Sequence, residues 1–184
     1  MRLQVLISTM HQTDYSLLEK MNIQSDAIVI NQCDHNKIEK FEYNGHRIEW
    51  YSLAERGVGL SRNTALQRAD ADIVLFADDD IIYFDDYTHT VIDFFEKNKK
   101  IALATFNFKS LNRERPEYID EKSHKIHFYN CLKYGAFRIA LRRKPIVAAG
   151  ITYSLLFGGG AKYQAGEDNL FVTQSIRHGL QAKA

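Results

Sequence analysis

The sequence predicts a single α/β domain in which a mostly parallel central sheet is flanked by helices. Three observations carry that reading. Apolar strand-like runs alternate with amphipathic helical segments. A glycine-containing loop, Glu55-Arg56-Gly57-Val58-Gly59, opens a helix that runs to about Ala69. The most hydrophobic run, Ile73-Val74-Leu75-Phe76-Ala77, ends in three consecutive aspartates, Asp78-Asp79-Asp80. One domain suits a chain of 184 residues, which can bury roughly 70% of its unfolded surface.

The elements follow in order. Leu3-Gln4-Val5-Leu6-Ile7 is a short apolar strand ending at Ser8-Thr9. A helix over residues 14–21 has Asp14 as its cap and Leu17, Leu18 and Met21 on one face. A second strand over 26–31 runs into Asn31-Gln32-Cys33-Asp34, and a third over 48–51 precedes the glycine loop. In the helix after that loop, Ser61 or Gly59 is the expected cap. Free N–H groups at its start, with Arg62 close by, would receive a negatively charged ligand group. Beyond the aspartates, 85–100 reads as a helix, 101–106 as a strand and 109–127 as a loop over the active face. Residues 136–141 read as a strand and 147–151 as a short apolar segment. A last amphipathic helix covers 169–178, preceded by Phe157-Gly158-Gly159-Gly160 and the acidic pair Glu167-Asp168.

In a sheet of this kind the ligand sits beyond the carboxyl ends of the strands. Ser8-Thr9, Asn31-Gln32-Asp34 and Asp78-Asp80 all fall there. Any one of them is explained by turn chemistry; their common location favours a site. Folding does not require three like charges at a strand end. Asp78 and Asp80, one residue apart, can face the same point and offer hard oxygen ligands to Mg²⁺ or Mn²⁺. An isolated Asp-x-Asp is more often an acidic turn, and Glu167-Asp168 alone would be a pair of carboxylates at a helix N-terminus.

The ordered string Gly57…Ser61-Arg62-Asn63…Ala65, Ile73-Val74-Leu75-Phe76, Asp78-Asp79-Asp80 and then Glu167-Asp168 resembles the family-2-type glycosyltransferases with the GT-A fold, over nearly the whole chain. Ser61 stands where the family usually has Ala, and Ala65 where it has Gly. The resemblance implies a Rossmann-like nucleotide-diphospho-sugar transferase. Its nucleotide-sugar-binding half would be residues 1–80 and its acceptor half 81–184. Ser8, Thr9, Asn31, Gln32, Asp34, Gly57, Arg62, Asp78 and Asp79 would hold the donor, with Asn31 and Gln32 replacing the usual paired acids at the nucleotide base. Amides can still pair with a uracil edge. Asp78 and Asp80 would hold Mn²⁺ or Mg²⁺. Asp168 would deprotonate an acceptor hydroxyl with Glu167 beside it, or the two roles would be exchanged. The implied reaction is inverting sugar transfer from a nucleotide diphosphate donor, a UDP-sugar first, to a saccharide or lipid-linked saccharide. The implied setting is surface polysaccharide synthesis.

Composition narrows the alternatives. A net charge of +1 gives no field for nucleic acid. No apolar run is long enough to span a membrane, and no signal peptide opens the chain. Cys33 and Cys131 form no metal-spaced pair and are expected to stay reduced in the cytoplasm. Arg142-Arg143-Lys144 reads as a solvated turn, with an anionic lipid headgroup at the inner face of the membrane as its alternative partner. The chain ends soon after the acidic helix, where family members continue with another strand. A minimal enzyme, a truncated product and a site completed by dimerising are the three readings of that end. A sugar nucleotidyltransferase is the weaker rival, since Ser8-Thr9-Met10-His11-Gln12 lacks the glycine-rich basic loop expected of one. A nucleotide-sugar-binding module without turnover is the harder rival.

Overall fold

Alternation along β1 (Leu3–Met10) sends Leu6 to one face of a sheet and Val5 and Ile7 to the other, and every one of them is buried. A strand buried on both faces must lie between two layers of helices, and that is the architecture found. The computed structural model describes residues 1–112, 114 and 119–184. After β1 come α1 (Ser16–Lys20), β2 (Asp26–Gln32), β3 (Lys37–Tyr43), β4 (His46–Leu53), α2 (Val58–Arg68), β5 (Ile73–Asp78), α3 (Tyr87–Lys97) and β6 (Ile101–Thr105). The second half holds β7 (Lys125–Ile126), a 3₁₀ turn (Ala136–Arg138), β8 (Ile139–Arg142), α4 (Arg143–Ala148), α5 (Glu167–Arg177) and β9 (Gln181–Lys183).

The strands form one sheet in the order β3-β4-β2-β1-β5-β8-β6-β9-β7. Helices α2, α4 and α5 cover one face through Ala65, Leu66, Ile146, Phe171 and Val172. Helices α1 and α3 cover the other through Leu17, Leu18, Val91 and Phe95. Among the described residues no helix is long and apolar enough to cross a membrane.

The sheet is mixed rather than mostly parallel. The strands β4, β2, β1 and β5 pair in parallel, as does β6 with β9. Four pairings are antiparallel: β3 with β4, β8 with both β5 and β6, and β7 with β9. The β3–β4 hairpin was not expected, although its signal is in the chain. Asn44-Gly45 sits between the two strands with φ of 50° and 78°. Two positive φ values in a two-residue turn match the right-handed twist of a hairpin, and Asn-Gly is the pair that adopts them most readily.

Other boundaries shift for local reasons. Gly57, with φ of 121°, is the N-cap of α2, so Gly59 and Ser61 lie within the helix rather than capping it. The acidic pair Glu167-Asp168 opens α5 instead of preceding it. Of the segment expected over 147–151, only Val147 and Ala148 belong to α4 (Arg143–Ala148), and 149–151 lie beyond it; Pro145, in the first helical turn, removes no hydrogen bond the helix needs. Arg142 is not part of a solvated turn. It closes β8 and donates to the carbonyls of Ile101 (3.0 Å) and Phe95 (2.6 Å). The expected loop over 109–127 is described except at 113 and 115–118, and it ends in β7. Asn107 and Asp120 close its base by reciprocal hydrogen bonds of 3.0 and 2.9 Å. Residues 181–183, read as a tail that falls short of the family's next strand, form β9, seated between β6 and β7.

On the α5 side, Phe76 of β5 is fully buried and meets Tyr153 and Phe171 edge-on at 5.2 and 5.8 Å. This aromatic cluster lies directly below the carboxyl edge of the sheet. Phe76→Ala is expected to cost about 3–5 kcal/mol in urea unfolding. A loss below about 1 kcal/mol would mean that the cluster carries no core packing.

Candidate active site

At the carboxyl end of β5 the last strand residue is Asp78, paired in register with Ser8 of β1. Helix α2 crosses this edge and brings Ser61, Arg62 and Asn63 to it. Ser61 Oγ donates to Ser8 Oγ (2.9 Å). The Asn63 side chain holds the backbone of Tyr153 at two points, donating to its carbonyl (2.9 Å) and accepting from its N–H (2.7 Å). One turn earlier, a Cβ on Gly59 would stand 2.5 Å from the Ser154 carbonyl oxygen, so only glycine allows the helix and the 153–154 segment to approach this closely. The Gly57…Asn63 string thus fixes α2 against β1 and against the chain leading to α5.

Arg62 lies at the centre, with a side chain only 4% exposed. Its Nη2 donates to Asp78 Oδ1 (2.8 Å), and its Nη1 donates to Asp168 Oδ1 (2.9 Å) and Glu167 Oε1 (3.1 Å). Its guanidinium lies over the Tyr153 ring, 5.3 Å from the centroid, and that ring stacks on Phe171 at 4.3 Å. One buried cation therefore gathers three carboxylates from β5 and α5, and the group is net negative when all are ionised. Arg62 is not open to an incoming anion as the sequence suggested. The first N–H of α2 is not free either, because Val58 N–H donates to the Gly159 carbonyl (2.9 Å).

Asp168 receives one more hydrogen bond, from the Ala136 N–H to Oδ2 (2.9 Å). Burial pushes its pKa up to about 6, with the Glu167 and Asp78 charges adding to the rise. Arg62 and the Ala136 N–H pull the other way. Folding therefore favours the protonated acid. That contribution is fully present below the ordinary value of 3.8 and is lost as the pH rises through about 6.

The other expected residues are placed as follows. Asp79 is exposed, and its Oδ2 accepts from Thr9 Oγ1 (2.6 Å), which also accepts from Gln12 Nε2 (2.9 Å). Asp80 is exposed in the turn that follows β5. Asn31 is buried with both ends of its amide engaged. Its Oδ1 accepts from Gln12 N–H, and its Nδ2 donates to the Gln12 carbonyl and Ser52 Oγ. Gln32 is buried, and its Oε1 has no partner among the described residues. Asp34 lies outside the carboxylate cluster, fully in solvent beside His35. Gly57 supports the glycine loop 157–160 as well as capping α2, since Gly160 stands against its backbone.

For a divalent cation Asp80 offers an exposed carboxylate in the turn after β5. Asp78 ends that strand but already gives Oδ1 to Arg62. Among the described residues, Cys33, Asp34 and His35 also bring three ligand-type atoms within 4.8 Å. The Cys33 thiol there donates to the His35 carbonyl. A cleft of about 200 Å³ lies between the start of α2 and the 155–161 loop, bordered by Arg56, Leu60, Leu155 and Phe157, and it excludes the carboxylates. Sequence reasoning gave no role to Asn63, Tyr153, Gln12 or Ala136. Asn63 stood inside the quoted motif and was the one with a signal.

Arg62→Gln is expected to destabilise the fold by about 3–5 kcal/mol near pH 8, because it leaves buried carboxylates without their counter-charge. The loss should shrink toward pH 5 as Asp168, raised to about 6, takes up its proton. A penalty that is the same at both pH values, measured by urea unfolding, would show that Arg62 does not balance their charge.

Comparisons with known proteins bear on the family and the fold. The sequence profile described as Glycosyl transferase family 2 matches residues 10–151. No curated protein matches the chain. Among solved structures, S. aureus TarS 1-349 superposes with a TM-score of 0.71 at 17% identity, covering 95% of this chain and 55% of that one. TarS 1-349 in complex with UDP-GlcNAc gives 0.72 at 17% identity, covering 97% and 54%. S. aureus TarS gives 0.71 at 16% identity, covering 97% and 34%. The chain thus spans about half the length of TarS 1-349 and shares its fold, the GT-A fold. With more than half of its residues matched by the family profile, the chain belongs to glycosyl transferase family 2.

Proposed function

We propose that the chain transfers a sugar from a nucleoside-diphosphate donor, a UDP-sugar first, to a hydroxyl acceptor with inversion, and that Asp168 is the base. The observation that carries the proposal is Asp168 itself. It is a mostly buried carboxylate with a pKa raised to about 6, fixed by Arg62 and the Ala136 N–H. A base tuned toward the operating pH is ionised at neutrality yet still basic enough to take a proton. Glu167 shares Arg62 Nη1 but is the less exposed of the two, at 12% against 22%, which favours Asp168 as the group that meets the acceptor.

The donor would lie along the carboxyl edge of β1, β2 and β5. The buried, unpartnered Gln32 Oε1 suits the N–H of a uracil edge. Asn31 would act indirectly, by holding Gln12 and through it Thr9. Asp80, with Asp78, would hold Mn²⁺ or Mg²⁺. When bound, such an ion supplies positive charge against the diphosphate and its developing leaving-group charge. Arg62 keeps Asp78 and Asp168 in one frame, so the base stays aligned with the donor edge. A single base and direct displacement give inversion at the anomeric carbon. TarS 1-349 was crystallised with UDP-GlcNAc and with UDP, which supports a nucleotide-sugar donor of this kind. A saccharide acceptor, cytoplasmic location and a role in surface polysaccharide follow from the family resemblance.

Asp168→Asn is expected to lower sugar transfer by about 10²-fold or more while leaving UDP binding nearly unchanged. If Glu167→Gln loses transfer and Asp168→Asn does not, the two roles are exchanged; full activity in both removes the base from this site. In the wild type, kcat/KM should rise as pH passes through about 6 and level off above it, since only the ionised carboxylate accepts a proton. A rate that is flat from pH 5 to 8 would contradict that assignment.

UDP should bind strongly only with Mn²⁺ or Mg²⁺ present, and Asp80→Asn should weaken that metal-dependent binding. Calorimetry showing equal UDP affinity with and without EDTA would take the ion out of the reading.

A further inference from the structure

The turn over residues 127–130 puts two aromatic rings into solvent and spends hydrogen bonds to keep them there. Asn130 N–H donates to the His127 carbonyl (3.1 Å), and His127 N–H donates to Asn130 Oδ1 (2.7 Å). Below it, the buried Cys131 thiol donates to the Phe128 carbonyl. The tip so fixed exposes Phe128 at 69%, Tyr129 at 70% and, one turn on, Leu132 at 68%. Phe128 and Tyr129 meet edge-on at 5.5 Å, and His127 stacks on Tyr129. Nothing in folding asks for three large apolar side chains outside, and apolar groups presented together mark an interaction surface.

A second segment behaves in the same way. Leu155 and Leu156 are both exposed, in the chain that leads through the glycine loop to Glu167. Both segments lead to Asp168. The first runs on to Ala136, whose N–H holds Asp168. The second ends at Gly166, the N-cap of the helix that carries Asp168.

Charge indicates the occupant. Residues 122–134 and 152–166 contain no Asp or Glu, but they hold Lys122, Lys125, Lys133 and Lys162, in a chain whose net charge is only +1. Lys122, Lys125 and Lys162 are exposed; Lys133 is partly neutralised by Asp120. Exposed aromatic and aliphatic tips with the exposed Lys122, Lys125 and Lys162 in the same segments, against the exposed Glu121 beside Lys122, complement an anionic lipid surface. There the apolar groups enter the headgroup boundary and the lysines are drawn to the anionic headgroups.

We propose that these two loops dock the chain on an anionic bilayer with the Asp168 side facing it, so that the acceptor hydroxyl is carried on a lipid. The docking surface stands on its own observations; the acceptor class rests on the sugar-transfer reading above. The surface is distinct from Arg142-Arg143-Lys144, whose arginines are tied into β8 and α4.

The test uses the full chain and sucrose-loaded vesicles of phosphatidylcholine with about one third phosphatidylglycerol, compared with pure phosphatidylcholine. The wild type should co-sediment with the anionic vesicles, and high salt should release much of it. Phe128→Ser, Tyr129→Ser and Leu132→Ser combined should lower the partition by about tenfold or more. UDP binding with Mn²⁺ in the same variant should be unchanged, which separates a failed docking surface from a failed donor site. Wild-type protein that stays with the supernatant, or a triple variant that sediments like wild type, would overturn the proposal. So would a wild-type dimer in sedimentation velocity that the same substitutions dissociate, since the tips would then be covered by a second copy.

Discussion

Arg62 is the constraint on which the site depends. Buried and fully charged, it can remain in the fold only because carboxylates from β5 and α5 converge on it. Those carboxylates in turn can stand within reach of one another only because Arg62 lies between them. This mutual requirement ties the first half of the chain to the second at the edge where β1 and β5 end. It also explains the neighbours of Arg62. Ser61 anchors the helix to Ser8, Asn63 clamps the Tyr153 backbone, and the Tyr153 ring supplies an aromatic face below the guanidinium.

The same arrangement sets the chemistry. Three acids share one cation, and burial raises Asp168 among them to about 6, while Asp80 stands exposed outside the cluster. In the proposed reading, environment divides chemically identical side chains into a base near neutrality and an exposed ligand for a cation. The glycine loop before α5 follows the same logic. It brings the Gly159 carbonyl onto the first N–H of α2, Gly160 against Gly57 and Gly158 against the Glu167 carboxyl.

Much of this was legible in the chain. The apolar runs gave β1, β2, β5 and β6 nearly to the residue, because buried strands are continuous in hydrophobicity. The carboxyl-edge rule placed the acids and Thr9 together. The roles of Arg62 and Asn31 were not legible, since sequence shows that a polar group is near a site but not whether the protein has already used it. Arg62 is taken by carboxylates 16 to 106 residues away, and Asn31 is taken by Gln12 and Ser52. The Asn44-Gly45 hairpin was available from turn chemistry. Strand β9 was not, because three residues after a helix carry no period and pair only through tertiary contact.

The claim that one buried arginine holds a poised base is tested most directly by titrating the Asp168 side-chain carboxyl by carbon-detected NMR. The account requires a midpoint of about 6 in the wild type, and a higher one once Arg62 is replaced by Gln, because its charge pulls that value down. A midpoint at or below the ordinary 3.8, or one that does not move when Arg62 is replaced, would contradict it.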